Sequence, residues 1–490
     1  MTLLENITVL GLGPASTVIG LVGLLALIAT YLMQRYPKLE ISAKSTKGVL
    51  VKTTPADTKS PYPYLLQFPP SRRHTLAQLP GFEKSDIRDV SPETLKSQAL
   101  PTTGTPDLNK DNLYTTMGFS TQDIRKLGRF PNYAILGGVR NPLPVGPDWD
   151  INKATFRPFR PFRWGYHQHM ALMKFDPDYW VELERNYLPT MAARKALLAE
   201  HPTRIFFHQP ASDLATRELM EMVLTFLVNR YPQHFRLSDN STILHNNLLK
   251  TTTNLLTTHS LTVLFENVPE DYCLMLRNAA DGFYYLRAAM TCSSVGWNIG
   301  QHRDKPLKDI HTHVPDYNKM AMSMDRWFSK VASDTPVMRC SWSLEDWEVM
   351  FTTPEIQPNW TRSAFADCPE KLTFKDIRLR CDAQTLRRLP ISGAVVFNFK
   401  VVITPLEELR EEPYIPRLLY TILEGGKENL IEYKCHPNVR RVAMETLKIW
   451  AEEQEERGVV ERDWEVGTLE ESPFFKGWRE KWAAQQGVAS

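Results

Sequence analysis

Between Asn6 and Gln34 the chain carries no charged residue, and Val18 to Met33 supplies Ile19, Leu21, Val22, Leu24, Leu25, Leu27 and Ile28. An apolar run of ~20 residues matches the hydrocarbon thickness of a bilayer, where a lone segment must be helical to satisfy its own backbone. A cleaved leader would want a basic residue ahead of a short apolar core. Here the only earlier charge is Glu5. Residues 1–35 therefore read as one uncleaved N-terminal transmembrane helix. Arg35, Lys38, Lys44 and Lys47 follow it and no Lys or Arg precedes it, so the positive-inside tendency places the body in the cytosol. A single-pass protein of the endoplasmic reticulum is the expected address.

Other bulk properties agree. The six cysteines, Cys273, Cys292, Cys340, Cys368, Cys381 and Cys435, include no C-x-x-C pair, which excludes a zinc ribbon and suits a reducing compartment. The sequons at Asn240 and Asn359 would then never meet the glycosylation machinery. With 58 Lys+Arg against 56 Asp+Glu, the chain lacks the basic excess of a nucleic-acid binder, so no nucleic acid is expected as a partner.

Residues 36–150 are rich in Pro, Ser, Thr and Lys and read as a tether and irregular arm, with Leu66-Gln-Phe68 and Tyr133-Ala-Ile-Leu136 the pieces suited to join a folded body. Residues 151–460 have the pattern of a compact domain, and 461–490 form a C-terminal tail. Helices are expected over 190–201, stopped by Pro202, and over 212–230. In the second, Ser212 is the N-cap and Leu219, Met222, Val223 and Phe226 make the apolar stripe. The clearest strand is Gly393 to Thr404: Val395, Phe397, Phe399, Val401 and Ile403 share one face while Asn398 and Lys400 point to the other, as in a half-buried antiparallel strand. Further strands are expected over 283–291 and 205–207, and a closing helix over 437–458. No β-α-β rhythm occurs. The class is α+β, an antiparallel sheet with flanking helices.

Among motifs, no G-x-G-x-x-G follows a strand, and the phosphate-loop and G-x-S-x-G patterns are missing, so the chain carries no recognisable pyridine-nucleotide or flavin site. His167-Gln-His169 and His311-Thr-His313 are H-x-H pairs, with His302 ahead of the second. On a strand each pair would present two imidazoles to one metal, although a turn histidine with a local hydrogen bond is the plainer account. Arg157-Pro-Phe-Arg160-Pro-Phe-Arg163 repeats every three residues. It suits an extended strip whose guanidinium groups meet either carboxylates of a cofactor or anionic lipid. Asp148-Trp-Asp150 and Asp176-Pro-Asp178 fit the D-x-D pattern of metal-dependent glycosyltransferases, a lumenal alternative, but Asp in such pairs mostly serves turns and helix caps.

Two stretches carry a resemblance. The first is Trp297-Asn-Ile-Gly-Gln-His302-Arg-Asp304-Lys-Pro306-Leu307-Lys-Asp-Ile310-His311-Thr-His313-Val314-Pro315, and the second Arg380-Cys-Asp-Ala-Gln384-Thr385-Leu386-Arg387-Arg388-Leu389-Pro390-Ile-Ser392-Gly393-Ala394. With looser agreement at Glu270-Asp271, at Arg339-Cys-Ser-Trp342 and from Trp180 through Leu198, they resemble the haem-dependent oxidative N-demethylase family over roughly 155–450. This chain departs from the family pattern at His302, Asp304, His313 and Asp382-Ala383, and its anchor and Pro-rich arm look like those of fungal relatives. The resemblance implies a PAS-type haem-binding domain. It also implies chemistry in which an N-methyl carbon is hydroxylated and lost as formaldehyde. The cofactor would be haem b, with electrons from NAD(P)H through a separate reductase as redox partner and a small-molecule amine or secondary metabolite as substrate. His311 matches the family's motif histidine and is the implied iron ligand, with Cys381 or Cys292 as thiolate rivals. His302 and His313 would serve the distal side as catalytic residues, and Arg160, Arg387 and Arg388 would meet the propionates. The same fold could act as a haem-based sensor without turnover.

Overall fold

The computed structural model describes residues 68–76, 90–165, 167, 169–295, 297–353, 355 and 363–486. The expected membrane helix and the start of the tether lie outside these residues. Among the described residues no helix is long and apolar enough to cross a membrane.

Seven strands make one antiparallel sheet: β1 (Met173–Lys174), β2 (Phe206–His208), β6 (Asp271–Arg277), β7 (Tyr284–Met290), β8 (Val337–Glu345), β9 (Arg378–Arg388) and β10 (Val395–Pro405). Their spatial order is β1-β8-β9-β10-β6-β7-β2. A separate three-stranded sheet joins β3 (Phe235–Leu237), β4 (Ile243–Asn246) and β5 (Thr251–Asn254). The α+β class is thus observed, with helices flanking a large antiparallel sheet; besides those placed below, they include α1 (Thr121–Leu127), α2 (Tyr133–Gly137), α3 (Tyr187–Glu200) and α5 (Ser260–Asn267). β9 and β10 form the central hairpin, paired from Val395 opposite Arg388 to Pro405 opposite Arg378. Its turn is the Leu389-Pro-Ile-Ser-Gly-Ala394 motif. Gly393 N donates to Leu389 O (3.1 Å), and Gly393 has a φ of 75°. A Cβ on Gly393 would run into Thr116 Oγ1 of the arm. Both demands select glycine.

Strand period two sorts the sheet into two faces. On β8 the odd residues 337–345 are half-buried and the even ones fully buried. The even side packs under α8 (Ile415–Gly425) and α9 (Pro437–Glu456), where Trp342, Leu344, Leu379 and Cys381 meet Leu419, Ile422, Val439 and Leu447. Towards β6, the same side of the sheet is covered by α4 (Asp213–Arg230), through Leu219, Met222, Val223 and Phe226. The odd side faces a cavity and α7 (Tyr317–Lys330), whose Phe328 packs with Phe397.

Three local expectations are revised. Ser212 does not cap α4 with its side chain; its hydroxyl donates to Gln209 O (2.6 Å) within the preceding turn. The polar side of β10 is not solvated. Asn398 and Lys400 are buried, Lys400 Nζ lying 2.9 Å from Glu182 and 3.0 Å from Glu270, while Arg157 Nη2 reaches Glu182 at 2.8 Å. This neutral quartet divides the two apolar clusters on that face. Burial works to raise the Glu182 carboxyl, but Arg157 and Lys400 hold it down at about 2. Finally, Tyr133 and Leu136 join the body as expected, but more of the arm does so than that piece, and so does the tail. Phe119, Ile124, Tyr133 and Leu136 enter the core beside α4, and Phe475 and Trp478 enter the core beneath α8 and α9. They pack because each carries aromatic or aliphatic side chains at turn-to-helix spacing that would otherwise stay wet.

Candidate active site

On the odd face of the sheet lies a cavity of about 310 Å³, within the range of small-molecule sites, ~300–1,000 Å³. Register gives it a polarity gradient. Phe397 stands opposite Leu386 and Cys273, and Phe399 opposite Gln384, which in turn faces Arg339. Farther along, Asp382 faces Ser341 and Arg380 faces Ser343. One end of the floor is therefore aromatic and aliphatic, the other charged. The apolar end is roofed by Leu307, Ile310, Met324 and Phe328.

The roof begins at the Pro-Leu element. Asp304 N donates to Leu286 O (3.0 Å) and Leu286 N to Lys305 O (3.1 Å), fastening this segment to β7. Asp304 has a φ of 58°, a region that glycine favours and that Asp is among the few other residues to tolerate. Its carboxylate also pairs with Arg287 (2.5 Å). Pro306 then starts the single turn α6 (Leu307–Ile310), and His311 follows at its end.

His311 lines the cavity. Its Nδ1 is 2.8 Å from Leu307 O and its ring stacks on Tyr317. A carbonyl can only accept, so Nδ1 carries the proton and Nε2 keeps its lone pair. Burial lowers the pKa of the ring, keeping it neutral. A neutral imidazole with a free Nε2 is the form that binds haem iron, so this residue fits the group in question. His313 also lines the cavity, as do His167 and His169. His167 Nδ1 sits 2.9 Å from Gly165 O, whereas His169 Nδ1 accepts from Ala171 N (2.9 Å), so only the first presents a free Nε2. The two H-x-H pairs thus line one cavity from separate loops, not from strands.

The other residues singled out in sequence lie elsewhere. His302 packs behind Trp297, with ring centroids 4.8 Å apart, and is not in the lining; burial, with Lys305 nearby, depresses its pKa to about 4. Arg160 is fully buried and forked onto Glu412 at 2.6 and 2.7 Å. Arg388 spends its guanidinium on the carbonyls of Phe328, Val331 and Gly393. Arg387 lies on the opposite face, its guanidinium 4.5 Å from the Trp180 ring centroid. None of these three arginines reaches the cavity. Cys381 also faces away from it and donates to Phe159 O (3.3 Å), and burial pushes the Cys292 thiol up to about 12. Asp150 accepts from Asn152 N and Asp176 from Asp178 N, so one carboxylate of each D-x-D pair serves a local turn, while Asp178 holds the distant Arg140 and Leu143 N.

A family model described as haem-dependent oxidative N-demethylase, alpha subunit-like, matches residues 171–444, more than half of the chain. The protein belongs to that family. Both signature stretches of the N-demethylase-like family now have a physical account. The first builds the roof and presents His311; the second is most of β9 with the turn into β10, and it supplies floor residues through Gln384 and Leu386 and a glycine turn. Missed in the sequence were Arg339 and Lys434, both in the cavity lining. Arg339 belonged to a loosely matching motif and carried no role; Lys434 lies far along the chain, and only the fold brings it under β8.

Proposed function

We propose that the protein is a haem-dependent oxygenase of the N-demethylase type, acting on a small amine or related lipophilic metabolite, with His311 Nε2 as the atom that would hold the haem iron. The observation that carries the reading is the His311 geometry: a proton fixed on Nδ1 by Leu307, a free Nε2, and an apolar wall in a chain of this family. When bound, haem would supply the dioxygen chemistry. The chain's own residues have narrower tasks. Tyr317 and Leu307 hold the imidazole plane and tautomer. Phe397, Phe399, Leu386 and Met324 exclude water from the reacting carbon and favour an uncharged, methyl-bearing group beside them. His313 and His167 are placed to give or take a proton at the cavity rim.

Electrons from NAD(P)H through a separate reductase suit a chain without a recognisable dinucleotide motif. The uncharged N-terminal run and its basic flank support a tether at the endoplasmic reticulum, with this body on the cytosolic side. The test is the absorption spectrum of the purified protein with and without reductant and carbon monoxide. A Soret band that shifts on both treatments, and is abolished or displaced in His311→Ala, is expected. An unaltered band in that variant would remove His311 from the role. Formaldehyde release on turnover separates the enzyme from a haem sensor.

A further inference from the structure

We infer that Arg339 and Lys434 form a carboxylate-binding pair at the charged end of the cavity. Neither cation makes an ion pair with any acidic side chain among the described residues. Lys434 Nζ donates to the Ser341 hydroxyl (3.0 Å) and lies over the Trp342 and Tyr433 rings at 5.7 and 5.5 Å. Arg339 Nε is buried without any hydrogen-bond partner. The nearby acids are committed or weakened. Asp382 pairs with Arg380 at 3.3 Å, and burial raises the Glu345 carboxyl.

Asp382 attracts both cations only through space, and burial outweighs that attraction and shifts both groups towards their neutral forms; the Lys434 amine is pushed down to about 8. An arginine fork beside a lysine is the arrangement that carboxylates satisfy, through two parallel bonds and a point charge. The Arg339 backbone stands opposite Gln384, itself opposite Phe399, so a carboxylate held here leaves its carbon chain directed along the floor to the apolar end. Two sources share this chemistry: a propionate of the porphyrin and a carboxylate of the substrate. The inference depends on the proposed function for the first source only.

The test compares full-length protein with Arg339→Gln and with Arg339→Lys, each first checked for an unchanged far-ultraviolet dichroism spectrum. Haem and haem dimethyl ester are titrated spectroscopically, and hexanoate and the neutral hexanamide calorimetrically on haem-free protein. Losing one charge-assisted fork weakens binding roughly ten- to a hundredfold. A loss for haem but not for the diester assigns the pair to the porphyrin. A loss for hexanoate, with hexanamide and haem unchanged, assigns it to the substrate. Arg339→Lys should recover part of either loss. Equal affinities in wild type and Arg339→Gln for both haem and hexanoate would overturn the inference, as would a wild type that binds neither. Protein that binds hexanoate but never haem would leave the pair standing while the haem reading falls. If Arg339→Gln does not fold, Lys434→Met is read by the same comparison.

Discussion

The imidazole of His311 lies parallel to the ring of Tyr317, with 5.1 Å between centroids and 9° between planes. With the Leu307 carbonyl on Nδ1, the ring is held in both orientation and tautomer before any ligand arrives. Prior positioning of this kind cuts the entropy lost on ligation. Tyr317→Leu removes the stack and keeps much of the volume. It should weaken haem binding about tenfold in a spectral titration and broaden the Soret band; unchanged affinity would mean that the carbonyl alone suffices.

His302 should make the fold sensitive to acid. Its folded pKa of about 4 lies below the ordinary 6.5, burial being the main cause. Between those values the unfolded chain takes up a proton that the folded chain refuses, so stability falls as pH drops from about 6.5 towards 4. Urea unfolding at several pH values should show this slope in wild type and a flatter one in His302→Gln. Comparing the two proteins cancels the contribution of Glu218, whose carboxyl burial raises to about 7.

Arg160 should matter for stability and not for cofactor. Removing its fork from the fully buried Glu412 strands a carboxylate, which ordinarily costs ~3–5 kcal/mol. Lys481, 2.7 Å from the same carboxylate, keeps Arg160→Met near the lower figure. Denaturant melts should record that loss while haem affinity of the folded fraction stays at the wild-type value. A drop in affinity without a drop in stability would return Arg160 to the binding site.

Lys400→Met should cost about 3 kcal/mol, since one cation leaves a site holding two glutamates. Glu182 keeps Arg157, and Glu270 keeps the Asn398 amide but loses its cation. Burial already raises the Glu270 carboxyl. The added Lys400→Met/Glu270→Gln change should therefore recover part of the stability, measured by a double-mutant cycle.

Gly393→Ala combines an unfavourable positive φ with a collision at Thr116. A strained backbone position alone costs ~1–3 kcal/mol. The thermal midpoint should fall, and Thr116→Ala in the same chain should restore only the collision part. A neutral Gly393→Ala would show that the hairpin turn has room to move.

Much of the frame was legible because its signals are local. Period two in β10, the stripe of α4 and the prolines that end helices each depend on neighbours in sequence. The two faces of β10 were read correctly, but the burial of the polar one was missed for a different reason. Lys400 and Asn398 look solvated until Glu182, Glu270 and Arg157 arrive from distant segments to satisfy them. The same reasoning separates the arginines. Arg387 and Arg388 are adjacent in sequence but project to opposite sides of β9, and Arg160 is consumed by Glu412, 252 residues away. His311 could be found because the family pattern marks it. Arg339 and Lys434 could not, since what makes them notable is that neither forms an ion pair among the described residues of the folded chain.

The segments packed outside the matched stretch bear on how the protein can be produced. A fragment cut to residues 171–444 would lack Phe119, Tyr133 and Leu136 on one flank and Phe475 and Trp478 on the other. Both helical layers would then emerge from the ribosome with bare greasy surface, inviting clumping whatever the state of the cavity. Boundaries drawn from homology alone would yield inclusion bodies, and a colourless pellet of that kind would say nothing about iron.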